Sequence, residues 1–153
     1  MGLFSFKKKK QFSREFPVVG TMSAMATKEE KCQQWSKIMP FFVWDKARFV
    51  LQSDITSQSD IDIMIGQYTM AKEHEPQILA AIKKHPEYTK LVAKGIDPLA
   101  NEDDIWVAAH LQEHDISPCI EVSYNTKDYY IWFAIQDGEL SEFLPSPLVD
   151  LPK

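Results

Sequence analysis

From residue 27 onward, apolar positions recur at intervals of three and four, the spacing of one helix face. Thr27 and Glu30 stand at capping-box spacing ahead of Cys32, Trp35, Ile38 and Met39. Pro40 then fits the first turn of a second helix, with Val43, Trp44, Ala47, Val50 and Leu51 as its stripe. The polar run 53–59 reads as a loop. Ser59 with Asp62 signals a third helix carrying Ile61, Met64, Ile65, Tyr68 and Ala71. Ile61, Ile63 and Ile65 also alternate, but the length and the continuation to Ala71 favour helix. Pro76 opens a short helix with Ile78, Leu79 and Ile82 inward, and Pro86 opens another, through Tyr88, Leu91 and Val92 to a C-cap at Gly95. Asn101 caps a last helix to about His114, whose first-turn acids Glu102, Asp103 and Asp104 suit the macrodipole.

After Ser117-Pro118 the period changes to two. Cys119 to Tyr124 and Tyr129 to Gln136 flank a four-residue loop, and Asp137-Gly138 turns the chain into a third strand, Glu139 to Leu144. Pairing Tyr124 with Tyr129 sets Val122 against Ile131 and Ile120 against Phe133, one apolar face for the helices. The other face then holds Glu121 opposite Trp132, Ser123 opposite Tyr130, and Trp132 opposite Phe143. Glu142 would fall on the core face in this register, so a slip is expected near the end of strand three. The expected fold is α+β: a mainly helical body of about five to six helices over 27–114, a three-stranded antiparallel meander over 118–144, and an extended tail over 145–153.

The first sixteen residues, MGLFSFKKKKQFSREF, mix phenylalanines with a lysine run and read as a flexible basic arm, leaving 17–153 as one globular domain. Ala24-Met25-Ala26 resembles a signal cleavage site, but the stretch before it is short and broken by Pro17 and Gly20. Gly2 lacks the Ser or Thr at position 6 of a myristoylation motif. An anionic membrane surface is the remaining partner for Leu3 to Phe12, which makes a peripheral membrane adaptor one alternative function without stable insertion. No apolar run approaches the ~20 residues of a spanning helix. The two cysteines, Cys32 and Cys119, fit free thiols and a cytoplasmic setting.

The net charge of −5 hides a gradient. Residues 1–14 carry five basic side chains and no acid, 15–96 balance at ten of each, and 97–153 hold two lysines against twelve acids. A last third at −10 repels nucleic acid and attracts basic surfaces. Five glycines, in no G-x-x-x-x-G-K, G-x-G-x-x-G or G-x-S-x-G pattern, speak against nucleotide-binding and nucleophile-elbow enzymes. One catalytic motif stands out. His110-Leu111-Gln112-Glu113-His114 matches H-x-x-E-H, in which two histidines on a helix face hold zinc and the Glu activates its water. A small zinc hydrolase using His110, Glu113 and His114 is therefore a second alternative, against short chain length and a meander where a further ligand would be needed.

The leading expectation needs no cofactor. Tyr130, Trp132 and Phe143, interleaved with Glu121 and bordered by Asp128, Asp137 and Glu139, offer aromatic anchors with an acidic rim. Further helices over that face would make them plain core instead. In its size, acidity and lack of catalytic motifs, and in its opening MGLFSFKKKK, the chain resembles bacterial toxin-immunity proteins. The resemblance implies a non-catalytic module that neutralises a basic partner, such as a nuclease-like toxin, through an acidic surface.

Overall fold

A computed structural model describes residues 8–51, 57–101, 103–112 and 117–148. It replaces the expected helical body with sheet. Eight strands lie in sequence order in one mixed sheet: β1 (Lys10–Phe16), β2 (Gly20–Ala26), β3 (Trp35–Phe41), β4 (Trp44–Leu51), β5 (Ile105–His110), β6 (Cys119–Asn125), β7 (Tyr129–Gln136) and β8 (Glu139–Pro147). Three helices, α1 (Gln58–Glu73), α2 (Glu75–Lys84) and α3 (Pro86–Ala93), stand between β4 and β5. Neighbouring strands are antiparallel except β4 and β5, which run parallel. A parallel pair cannot be joined by a hairpin, and the helices form the crossover it requires.

The three helices fall where their apolar spacing puts them. Ile61, Met64, Ile65, Tyr68 and Ala71 of α1, Ile78 and Ile82 of α2, and Leu91 of α3 are buried. The α1 cap is Ser57, whose hydroxyl accepts from the Asp60 amide at 3.2 Å. The helices expected at 27–51 and 101–114 are absent. Thr27 and Glu30 lead only into a single 3₁₀ turn, Glu29–Lys31. Pro40 sits exposed at an irregularity of β3 between Met39 and Phe41, where a missing N–H costs little. In β4, Ala47, Phe49 and Leu51 alternate inward toward the helices, and Val50 is buried as well, so both faces satisfy an apolar pattern. The basic arm also needs correction. Lys10–Phe16 pairs along its whole length with β2, and Phe16 packs edge-on against Trp35 with ring centroids 5.7 Å apart.

The helices cover one face of the sheet. Tyr68 of α1 meets Phe49 at 4.8 Å and Phe41 at 6.1 Å between centroids, while His85 and Tyr88 meet Phe143 at 5.4 and 6.5 Å. Val107, Ile120, Val122, Ile131, Phe133 and Ile135 complete this core with almost no exposure. The expected face of the β6–β7 hairpin is therefore observed, but its register is not. Tyr124 pairs with Ile131, Val122 with Phe133 and Ile120 with Ile135. The shift is two residues, which keeps every side chain on its face. A bulge in β8 between the Ile135–Leu140 and Ala134–Glu142 pairs lies near the start of the strand, where the expected slip lay near its end, and it sets Phe143 opposite Phe133 in the core.

Between β7 and β8, Asp137 and Gly138 both adopt positive φ, 52° and 77°, as a two-residue type I′ hairpin turn requires. A buried side chain grips this turn from α1. Gln67 Nε2 donates to Asp137 Oδ1 at 2.7 Å, and Gln67 Oε1 accepts from the Asp137 amide at 2.9 Å. Gly138 has little room for a side chain, since a Cβ there would lie 3.1 Å from the His74 ring and the ring would have to give way slightly. Replacing Gln67 by Leu should cost about 1–3 kcal/mol in urea unfolding, because the amide and the carboxylate lose their partner together. A change below about 0.5 kcal/mol would show that water takes over both bonds.

Candidate functional site

Strand alternation assigns the opposite, outer face. The register aligns Ile38, Arg48, Trp106, Ser123, Trp132 and Leu144 in one row across β3 to β8. A second row places Asn125 beside Tyr130 and Tyr130 beside Ser146. Trp106 and Tyr130 keep 41% and 40% of their surface exposed, a large value for such rings, and Trp132 is half-buried. No helix among the described residues lies on this side.

At one corner of the face the surface sinks into a cleft of about 530 Å³ lined by Asp103, Asp104, Trp106, Ser123, Tyr124, Asn125 and Tyr130. Its construction follows from the strands. Ser123 and Asn125 of β6 give a floor of short polar side chains, while Trp106 of β5 and Tyr130 of β7 rise on either side. The walls stand two strand spacings apart and two residues out of line along the strands, since Trp106 pairs with Ser123 and Tyr130 with Asn125, which puts their roots about 12 Å apart. Asp103 and Asp104, on the segment entering β5, close one end with carboxylates. Asn125 Nδ2 donates to Asp103 Oδ2 at 2.8 Å and so fixes that carboxylate beside the floor.

The segment that carries these acids is tied from within. Buried Tyr124 donates its hydroxyl to the Pro98 carbonyl at 2.6 Å, and the Trp44 indole donates to the Leu99 carbonyl at 3.2 Å. The two rings touch, with centroids 5.0 Å apart. Asp97 Oδ1 accepts from the Leu99 amide at 3.0 Å, which adds a local turn. Burial pushes the Tyr124 hydroxyl well above the usual tyrosine range, with smaller contributions from Asp97 and Tyr88.

The expected partner-binding residues do not form one cluster. Glu121, Tyr130 and Trp132 lie on the outer face, and Asp128 is exposed in the β6–β7 loop two residues before Tyr130. Asp137 and Glu139 belong to the turn at the other end of β7; Asp137 is held by Gln67, and Glu139 borders a smaller cleft of about 350 Å³ with His74, Gln77 and Gly138. Phe143 is 1% exposed and is core, because the β8 bulge turns it inward. Glu121 is engaged on its own face, with Oε2 3.6 Å from His110 Nε2.

That contact also bears on the zinc motif. His110 is the last residue of β5, so the helix face on which the motif relied is missing there. Glu113 and His114 lie outside the described residues, and among those described no three His, Cys, Asp or Glu side chains converge as metal ligands. The membrane arm is only partly in view, since residues 1–7 also lie outside; Lys8, Lys9 and Lys10 are exposed, and Phe12 is half-buried in β1. No helix of the described residues is long and apolar enough to cross a membrane.

Sequence reasoning missed Trp106, Asp103, Asp104 and Asn125 as a group. The signal was present in Ile105-Trp106-Val107-Ala108-Ala109-His110, where buried Ile105, Val107 and Ala109 alternate with outward residues. Comparison with protein-family models, curated proteins and solved structures finds no match to this chain.

The buried tyrosine gives a pH test. Its folded pKa is raised, so its stabilising contribution is intact below the unfolded value of about 10 and is lost as pH rises from there toward the folded value. Unfolding free energy should fall by about 1.4 kcal/mol per pH unit above pH ~10 from this residue. Tyr124→Phe should remove that increment of slope in alkaline urea titrations, while lowering neutral stability by about 1 kcal/mol through the lost bond to Pro98. An unchanged alkaline slope would show that Tyr124 ionises as freely in the folded protein as in the unfolded one.

Proposed function

We propose that this protein is a non-catalytic binding module that grips a basic protein partner, in the manner of the toxin-immunity proteins its character resembles. The observation that carries the reading is the corner of the outer sheet face on which two large aromatic side chains stand exposed beside carboxylates. Exposed Trp and Tyr at a concave site are the residue types that dominate association energy, and surrounding acids select a basic partner and speed its approach. The proposed surface differs from the one read in the sequence: Trp106, Asp103 and Asp104 enter, whereas Phe143, Asp137 and Glu139 leave. Cys32 is a free thiol, which supports action in a reducing compartment such as the cytoplasm.

The test is tagged capture from lysate of the source cell at low and high salt, run in parallel with a variant carrying Trp106→Ala and Asp104→Lys. A single dominant basic protein, held at low salt, weakened by salt and lost by the variant, is the expected result. Equal capture by the variant, or no salt-sensitive partner, would overturn the reading. Once a partner is in hand, Asp104→Lys with Asp128→Lys should slow association about tenfold at low salt and alter dissociation less. Phe143→Ala should instead lower folding stability by about 3–5 kcal/mol, as a core truncation does.

A further inference from the structure

We infer that the cleft between Trp106 and Tyr130 is a receptor for one guanidinium group, an arginine side chain of the partner, laid on the Trp106 indole with its edge toward Asp103 and Asp104. The inference rests on the proposed partner-binding role of this face and adds what the face selects. Its first support is the geometry of the walls. Rooted about 12 Å apart on a diagonal, the two rings frame a polar floor, and a planar group laid on the Trp106 indole at a contact distance of about 3.5–4 Å lies over Ser123 and Asn125.

The second support is independent and comes from inside the molecule. Trp106 already holds a guanidinium on its other side. The Arg48 guanidinium carbon lies 5.1 Å from the Trp106 ring centroid, and Arg48 reaches it from β4, away from the cleft, whose lining it does not join. Arg48 Nε is buried without a hydrogen-bond partner among the described residues, and the group instead lies over the indole. Trp106 still keeps 41% of its surface exposed and lines the cleft.

The third support is charge. Asp103, fixed by Asn125, and Asp104 present carboxylates at the end of the slot, while no basic side chain among the described residues lines it. A guanidinium fits this set better than an ammonium. It is planar, stacks on aromatic faces, sheds water more readily and donates along its edge to carboxylates. A lysine would offer a hydrated point charge to an aromatic face that suits a plate.

The experiment uses the full chain, observed by proton–nitrogen correlation spectra, with N-acetyl-arginine amide as probe. N-acetyl-citrulline amide serves as its uncharged isostere and N-acetyl-lysine amide as the competing cation. The arginine probe should shift the Trp106 indole N–H and the Tyr130 and Asn125 signals, saturating with a dissociation constant of about 1–10 mM. Citrulline and lysine probes should bind at least about tenfold and threefold more weakly, respectively. Trp106→Ala should abolish the response with the remaining spectrum intact, and Asp103→Asn with Asp104→Asn should weaken it about threefold to tenfold without touching a wall. Equal binding of citrulline, equal binding of lysine, persistence in Trp106→Ala, or no saturable shift at all would each overturn the inference. Failure of the two readings is separable. Arginine binding with no captured partner removes the partner and leaves the slot, whereas a captured partner indifferent to Trp106→Ala removes the slot and leaves another surface.

Discussion

The parallel pairing of β4 with β5 is the constraint from which the rest of the structure follows. Seven strands could be threaded by short turns, but this one junction forces the chain to travel back along the sheet before it can pair again. Three helices make that return, and each must bury an apolar stripe as it goes. They do so on the same face, where Tyr68 meets Phe41 and Phe49 and where His85 and Tyr88 meet Phe143. One face becomes core. The other buries Val50, Cys119 and Ala134 but keeps Trp106 and Tyr130 open to water and to whatever binds there.

The end of the crossover is the delicate point, because an irregular segment must deliver β5 in register. Trp44 from β4 and Tyr124 from β6, strands on either side of the new one, each donate to a carbonyl of that segment. The same two bonds place Asp103 and Asp104, since only a few residues separate them from Pro98 and Leu99. The cleft is thus a by-product of closing the crossover: its floor is β6, its end is the pinned segment, and its walls are the outward neighbours of buried residues. Trp106 follows buried Ile105, and Tyr130 precedes buried Ile131. Alternation on a pleated strand converts each inward anchor into an outward partner fixed beside it.

How much of this was legible depended on which period an apolar set could satisfy. The helices at 58–93 were readable because Ile61, Met64, Ile65, Tyr68 and Ala71 fit no strand over that length, and prolines mark the next two starts. The β6–β8 meander was readable because Ile120, Val122 and Tyr124 alternate and Asp137-Gly138 has one favoured turn. In β4 the set Trp44, Ala47, Val50 and Leu51 satisfies the helical interval while Ala47, Phe49 and Leu51 satisfies the strand interval, and only pairing on both edges decides between them. The parallel neighbour that decides it lies more than fifty residues away. β2 is harder still, since its buried Met22, Ala24 and Ala26 have weak strand preference and are held by the tertiary fold. Losing β5 to an expected helix hid the site, because Trp106 then stood on no particular face.

The charge gradient was legible in sum but not in function, and the structure divides the acids of the last third into two kinds. Asp97 closes a turn on the Leu99 amide, Asp137 is clamped by Gln67, and Glu121 meets His110, so each has a partner that the fold requires or supplies. Asp104 and Asp128 are exposed near the open aromatic rings, and Asp103 is held to the same corner by Asn125. A field of −10 over 97–153 steers any basic body toward this half of the molecule, but steering is not recognition. Recognition needs groups whose positions survive the arrival of the partner. Here the acids at the cleft sit on a segment tied by two buried aromatic donors, and the rings sit on central strands hydrogen-bonded along both edges. Such a site loses little freedom on binding, so the aromatic contacts it makes are realised as affinity and not consumed in ordering a loop.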